Sequence, residues 1–423
     1  MKILTSYSRL KNYLPHLLIF FWLPSTSWSK NWANWLGPNH NGSLEELSLN
    51  IPGEGKNFST RWKISVGSGW SSPLIDNGAV YFHDRVGENE LIHRVDLLMG
   101  KEQWRHSYLS GYRDDFGMAN GPRSTPALSQ GILVTHGPQG LVHALDIENG
   151  KSIWIRDLKK DFSSSKGFFG RCSSPLIVEE QVIFDVGGPR AGLVSFSLRT
   201  GKTKWSTKAY GNDYASPVPF HANGQSLCLS FMREGFLSVD LVSGDEQFFE
   251  SFRSPIDASV NAASPLVLGN QVFLTSCYEV GAGLWEYQTK SKGSSTFKKL
   301  WRKKEILDCH YSTPVAHGGY LFGFHGRQER GPVLRCIRLK DGLVKWEEAS
   351  LGSGNLIKVG EQIFTLTDRG ELIVFSADSN KCNILHRQQI LGTGGRSHFA
   401  ISDGLLIARD QRRLICLDLK VFE

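Results

Sequence analysis

Few residues in this chain stand at spacings that support covalent chemistry. Cys309 and His310 are adjacent and would suit a thiolate–imidazole pair or two metal ligands, yet no further ligand or third group stands at the spacing either role requires. A structural role for both is the plainer reading. There is no GxSxG elbow, no HExxH, no CxxC or CxxCH, no adjacent cysteine pair, and no close carboxylate pair that supports a hydrolase or lyase. Hydrolase, lyase, metal and covalent-haem readings therefore lose their usual support. What remains is a recurring set of basic, aromatic and polar residues: Trp70, Arg123, Arg171, Tyr214, Asn261, His310 and Arg396. Guanidinium groups meet carboxylates in a fixed fork geometry, so such a set suits an anionic small molecule or an acidic protein segment. Alternatively, the arginines only pair with nearby acids such as Asp114, Asp115, Asp213 and Asp308.

These residues share a place relative to a repeated mark. A small residue followed by proline recurs at Ser72-Pro73, Thr125-Pro126, Ser174-Pro175, Ser216-Pro217, Ser264-Pro265 and Thr313-Pro314, with successive prolines 53, 49, 42, 48 and 49 residues apart. Each mark precedes an apolar stretch, a turn such as Asp76-Asn77-Gly78, a second strand such as AVYFHD and a third strand ending in an Asp/Gly turn. A fourth strand then carries a large aromatic, as in HRVDLLMGKEQW (93–104), HALDIENGKSIW (143–154), SFSLRTGKTKW (195–205) and CIRLKDGLVKW (336–346). Four short strands per ~45 residues is the pattern of a propeller blade.

Two weaker repeats (355–378 and 397–420) lack the mark but keep the strand order, and the last runs out after its third strand. The missing strand is expected from residues 60–66, which contain Trp62. The outer-strand anchors are then Trp62, Trp104, Trp154, Trp205, Phe248, Trp301, Trp346 and an aliphatic substitute near Leu385. The expected fold is all-β: an eight-bladed propeller of four-stranded antiparallel blades, closed by an N-terminal strand pairing into the last blade. Links between blades share one face with the second-to-third-strand loops. That face would be a funnel carrying the seven residues above, with Arg85, Arg190, Arg233, Arg327, Arg330, Arg369 and Arg413 around its outer ring.

Composition agrees with this. Of 423 residues, 40% are apolar and 21% charged, as in an ordinary globular protein, and the 44 evenly spread glycines suit many tight turns rather than a helical bundle. Basic residues (Lys2, Arg9, Lys11) precede an apolar run from Leu14 to Leu23 and small residues up to Ser29, which is the layout of an export signal over residues 1–29 cleaved before Lys30. An uncleaved N-terminal anchor is the alternative. The apolar run is about half the ~20 residues a membrane helix needs, and no later segment could span a bilayer. The net charge of +7 falls to +4 without the signal, too little to argue for nucleic acid. Seven scattered cysteines, an odd number, do not indicate a disulfide framework, and none stands near the cleavage site to carry a lipid.

The terminal GK-x-x-W of the strand–turn–strand unit, with FGMANGPRSTP (116–126), FFGRCSSPLI (168–177) and VGGPRAGLVSFS (186–197), resembles the bacterial pyrroloquinoline quinone (PQQ)-like β-propeller repeat family over residues 60–423. The lead-in at 30–59, with NWANWLGPNHNG (31–42), is similar to the Trp-rich opening of exported members. The resemblance implies an exported, periplasmic or secreted propeller of BamB-like kind: a monomeric, non-catalytic scaffold without cofactor, whose partner is an envelope protein or small anionic ligand. The family's other branch implies a PQQ-dependent dehydrogenase oxidising an alcohol or sugar with Ca²⁺ and an Asp base. The adjacent-cysteine disulfide and long insertions of its large members are absent here, and no calcium-ligand trio can be assigned.

Overall fold

Each repeat closes as a four-stranded antiparallel sheet because its apolar runs are only three to nine residues long and are punctuated by turns that only Asn, Asp and Gly enter readily. The computed structural model describes residues 31–45, 49–289 and 295–420; the expected export signal lies outside them. Eight sheets result. Blades 1 to 7 occupy residues 74–109, 127–157, 176–206, 218–251, 266–303, 315–348 and 354–389. Blade 8 takes three strands from residues 400–418 and its outermost strand, Ser59–Ser65, from the N-terminal side. That strand runs antiparallel to Arg413–Asp418, placing Trp62 opposite Cys416, and the ring shuts as expected.

The outer tryptophans lock neighbouring blades together. Trp154 of blade 2 is buried and donates its indole N–H to the Leu198 carbonyl of blade 3 at 2.7 Å. Trp62, Trp104, Trp205, Trp301 and Trp346 repeat the contact onto Leu97, Ile147, Leu241, Leu339 and Asp378. The turn glycine of the next blade is what lets the ring lie flat: a Cβ on Gly201 (φ +66°) would stand 2.7 Å from the Trp154 ring. So the glycine supplies a positive φ and also steric room. Blade 7 corrects the sequence reading. A bulge in its outer pair skips Leu385, leaving it 38% exposed, and brings His386 opposite Val374 as the tryptophan equivalent, edge-on to Phe58 with centroids 4.9 Å apart.

The Ser/Thr-Pro mark has its own function. The Ser72 amide donates to Thr125 Oγ1, Thr125 to Ser174 Oγ, Ser174 to Ser216, Ser216 to Ser264 and Ser264 to Thr313, while His398 of blade 8 donates to Ser72. A hydroxyl is needed because the inner strands converge here and each amide must find a partner on the next blade. Proline then has no N–H to satisfy.

The lead-in enters the channel from the tight-turn face. Asn31 bonds the Asp76 carboxylate, the Trp32 and Ala33 carbonyls accept from Ile75 and Leu128 in the inner strands of blades 1 and 2, and Ser43–Leu44 pairs parallel to the inner strand of blade 7. Trp35 reaches further, donating to Ser264 Oγ at 3.0 Å. The channel is therefore closed on one side. All seven cysteines are free, and Cys228, Cys309, Cys336 and Cys416 are fully buried among apolar neighbours.

Candidate functional site

Above the lead-in, the loop face encloses a cavity of about 220 Å³. Its walls come from where strand order sends them. Inter-blade links supply Trp70, Met118, Arg123, Phe169, Cys172, Tyr214, His310, Tyr311 and Arg396; the second-to-third-strand loops supply Tyr278, Arg327 and Glu329; Ser72, Ser174 and Ser216 contribute from the neck. Trp35 and His398 also line it, with their rings 5.6 Å apart and edge to face. The surface is largely aromatic, with a few convergent polar groups, as small-molecule sites usually are.

The three cavity arginines differ in what they already hold. Arg123 pairs with the buried Asp114 carboxylate at 3.1 Å and donates to the Ala119 carbonyl. Arg327 pairs with Glu329 at 3.5 Å and lies over Tyr278. Arg396 rests over the faces of Trp70 and Tyr311, at 4.8 and 6.0 Å from the centroids, and its guanidinium has no ion pair or hydrogen bond among the described residues. Trp70 also carries the Arg123 guanidinium at 5.0 Å. Such stacking orients a cation without neutralising it.

Both cavity histidines are neutral at pH 7, pushed down to about 4 chiefly by burial. His310 accepts the Gln328 amide at Nδ1, so its Nε2 carries the proton and donates to the Tyr278 hydroxyl at 2.9 Å. His398 is the reverse: Nδ1–H donates to the Phe399 carbonyl at 2.8 Å, and the Leu356 backbone also bonds the buried ring. Burial also raises the Tyr278 hydroxyl above its ordinary range.

Of the seven residues singled out from sequence, Trp70, Arg123, Tyr214, His310 and Arg396 meet on this cavity. Arg171 and Asn261 do not. The Arg171 guanidinium turns into the blade 2–blade 3 seam, donating to the Val186 and Ser165 carbonyls and to Ser164, and is 2% exposed. Asn261 is buried with its amide on the Met232 carbonyl, and its own carbonyl accepts the Tyr214 and Ala215 amides. Both are packing residues of the links. In the outer ring, Arg85 is buried in a cage of carbonyls from Gly87, Ser110, Tyr112 and Asn120, and Arg413 pairs with Asp410. Arg327, expected there, lines the cavity instead because its loop folds inward through a 3₁₀ turn at Gln328–Arg330. Among the acids, Asp114 pairs with Arg123 and Asp115 with Lys166, Asp213 lies 3.8 Å from Arg233, and Asp308 accepts the Glu305 amide. Cys309 points into the core while His310 faces the cavity, so the adjacent pair is not a chemical unit.

Sequence reasoning missed Trp35, Tyr278, Tyr311, Glu329 and His398. The first lay in a segment without strand periodicity, although its tryptophans were a signal. His398 stands where six of the other repeats carry Ser or Thr of the mark, as its amide bond to Ser72 shows.

A quinone with a calcium ion, as in the family's dehydrogenase branch, would need oxygen donors among these side chains. Among the described residues no three His, Cys, Asp or Glu side chains converge to hold a metal ion. The carboxylates beside the cavity, Asp114 and Glu329, are already paired with arginines. A calcium ion held there by carboxylates would have to displace one of these arginines.

Blade architecture and neck define an eight-bladed β-propeller. A family model described as "Outer membrane protein assembly factor BamB" matches residues 59–248, so over that stretch the chain resembles PQQ-like, BamB-like propellers. BamB from Moraxella catarrhalis superposes with a TM-score of 0.63 at 13% identity, covering 86% of this chain and 100% of that one. The quinohemoprotein alcohol dehydrogenase from Comamonas testosteroni gives 0.61 at 11% identity, covering 93% and 81%. At such identities the likeness is one of fold. The 1-butanol dehydrogenase (cytochrome c) of Thauera butanivorans is 30% identical over 102 residues, a stretch spanning 23% of this chain and only 14% of that protein.

Proposed function

We propose that this protein is an exported, monomeric binding propeller of the cell envelope that carries out no reaction of its own and holds an anionic ligand, or the acidic segment of an envelope protein, in the loop-face cavity. One observation carries the reading: an aromatic cavity, closed below by Trp35 and His398, presents an arginine that makes no ion pair or hydrogen bond with the described residues. The basic and apolar N-terminal segment supports export, and the name of the matching family model supports an envelope partner. No described helix is long and apolar enough to cross a membrane. The aromatic anion 8-anilinonaphthalene-1-sulfonate (ANS) tests the cavity. Saturable one-to-one fluorescence that weakens at least tenfold in Arg396→Gln is expected; the absence of a saturable response would overturn the reading.

A second reading, a quinoprotein dehydrogenase, draws on the stretch shared with the 1-butanol dehydrogenase. PQQ, Ca²⁺ and 1-butanol added to the purified protein with an electron-accepting dye separate the two. Alcohol-dependent dye reduction would favour the dehydrogenase; no reduction is expected.

A further inference from the structure

The geometry points to a ligand class for this cavity: a ring-shaped, polyhydroxylated monocarboxylate, that is, a hexuronic acid, free or at the end of a glycan. The inference rests on the cavity being a binding site and adds what it recognises. Charge comes first. Arg123 and Arg327 are each matched by a carboxylate, so Arg396 leaves the cavity one positive charge in excess. One uncommitted guanidinium suits a carboxylate better than a phosphate dianion, which calls for more than one cation or a nest of amides.

The polar groups at the neck call for oxygen partners. His398 spends its ring nitrogens on backbone groups and offers the cavity only its ring. Ser72, Ser174 and Ser216 each accept one backbone amide, and each keeps a proton to donate to a ligand oxygen. A purely aromatic acid would leave several of these groups unmet. Size is compatible: an enclosed cavity of about 150 Å³ accepts a benzene ring, so about 220 Å³ at the bottom of this open cup seats one substituted ring. The faces of Trp70 and Tyr311 flank Arg396, so the C–H face of a sugar can pack on an aromatic ring while its carboxylate meets the guanidinium.

Calorimetric titration with D-galacturonate and D-glucuronate tests this, with D-galactose, 4-hydroxybenzoate and inorganic phosphate as comparisons. One hexuronate should bind per chain, at least tenfold more tightly than the neutral hexose. Arg396→Gln should weaken it at least tenfold with an unchanged melting temperature; Arg369→Gln, outside the cavity, should not. Oligogalacturonate binding more tightly than the monomer assigns a chain end, and equal or weaker binding assigns the free acid. ANS binding that only 4-hydroxybenzoate or phosphate displaces would overturn the hexuronate inference and leave the binding reading standing. Hexuronate binding indifferent to Arg396→Gln would overturn it as well. Failure of ANS itself would remove both.

Discussion

Substituting alanine for the turn glycine of blade 3 separates two costs that the propeller imposes at one position. Gly201 has φ +66°, and its added Cβ would stand 2.7 Å from Cδ2 of Trp154, a rigid ring held by its bond to Leu198. Holding an L-residue in the left-handed region costs roughly 1–2 kcal/mol. Forcing a methyl group against a packed ring adds about 1–3 kcal/mol, so Gly201→Ala should lose about 2–5 kcal/mol in all. Gly224, with φ +75° and nothing within 4 Å of its added Cβ, carries only the first cost. Equilibrium urea unfolding followed by far-UV circular dichroism reads the difference, provided the slope with denaturant stays constant. A second pair repeats the comparison: Gly150→Ala, whose Cβ would meet Trp104 at 2.6 Å, against Gly78→Ala, which meets nothing. Were Gly201→Ala and Gly150→Ala no costlier than their open counterparts, the tryptophan–glycine lock between blades would be refuted.

Three further outcomes are expected. His386→Ala should cost about 1–3 kcal/mol and Leu385→Ala less than about 0.5 kcal/mol in the same urea titration, since the bulge buries the first and exposes the second; the reverse order would restore Leu385 as the anchor. Arg171→Ala should lose about 2–3 kcal/mol because the Val186 and Ser165 carbonyls lose their donor, and a neutral result would return Arg171 to the ligand face. Burial raises Asp185 from 3.8 to about 7, so between these values the folded chain keeps a proton that the unfolded chain releases. That carboxyl therefore lowers stability as pH rises from about 4 to about 7, with no further loss above. Asp185→Asn should grow more stable relative to wild type across that window, and a difference independent of pH would contradict the assignment.

The fold was legible because its stabilising elements repeat. Ser/Thr-Pro, the Asp-x-x-x-Gly turn and the outer tryptophan each perform a physical task once per blade, so spacing alone exposes them. The site was legible only in part. Strand order places Arg123 and Arg171 on the same kind of link, but the direction of a long side chain depends on its acceptors. Arg171 finds buried carbonyls in the adjacent blade, whereas Arg123 finds Asp114 beside the cavity. Arg327 turned inward through a loop that no periodicity describes. His386 was hidden because a one-residue bulge shifts which side chain faces inward, and sequence shows no bulge. Trp35 works from outside the repeats altogether, so no register pointed to it.

The lead-in both enters and leaves on the tight-turn side. Asn31 sits at the Asp76-Asn77 turn, and after Leu44 pairs at Gly360 the Leu49 carbonyl accepts from Gln362, on the corresponding turn of blade 7. It is thus a cork rather than a thread: the described part of it does not run through the ring, and the circle of sheets closes without it. Uncorking would leave the blades joined through Ser59–Ser65 while opening the pore from end to end, turning a blind cup into a sleeve.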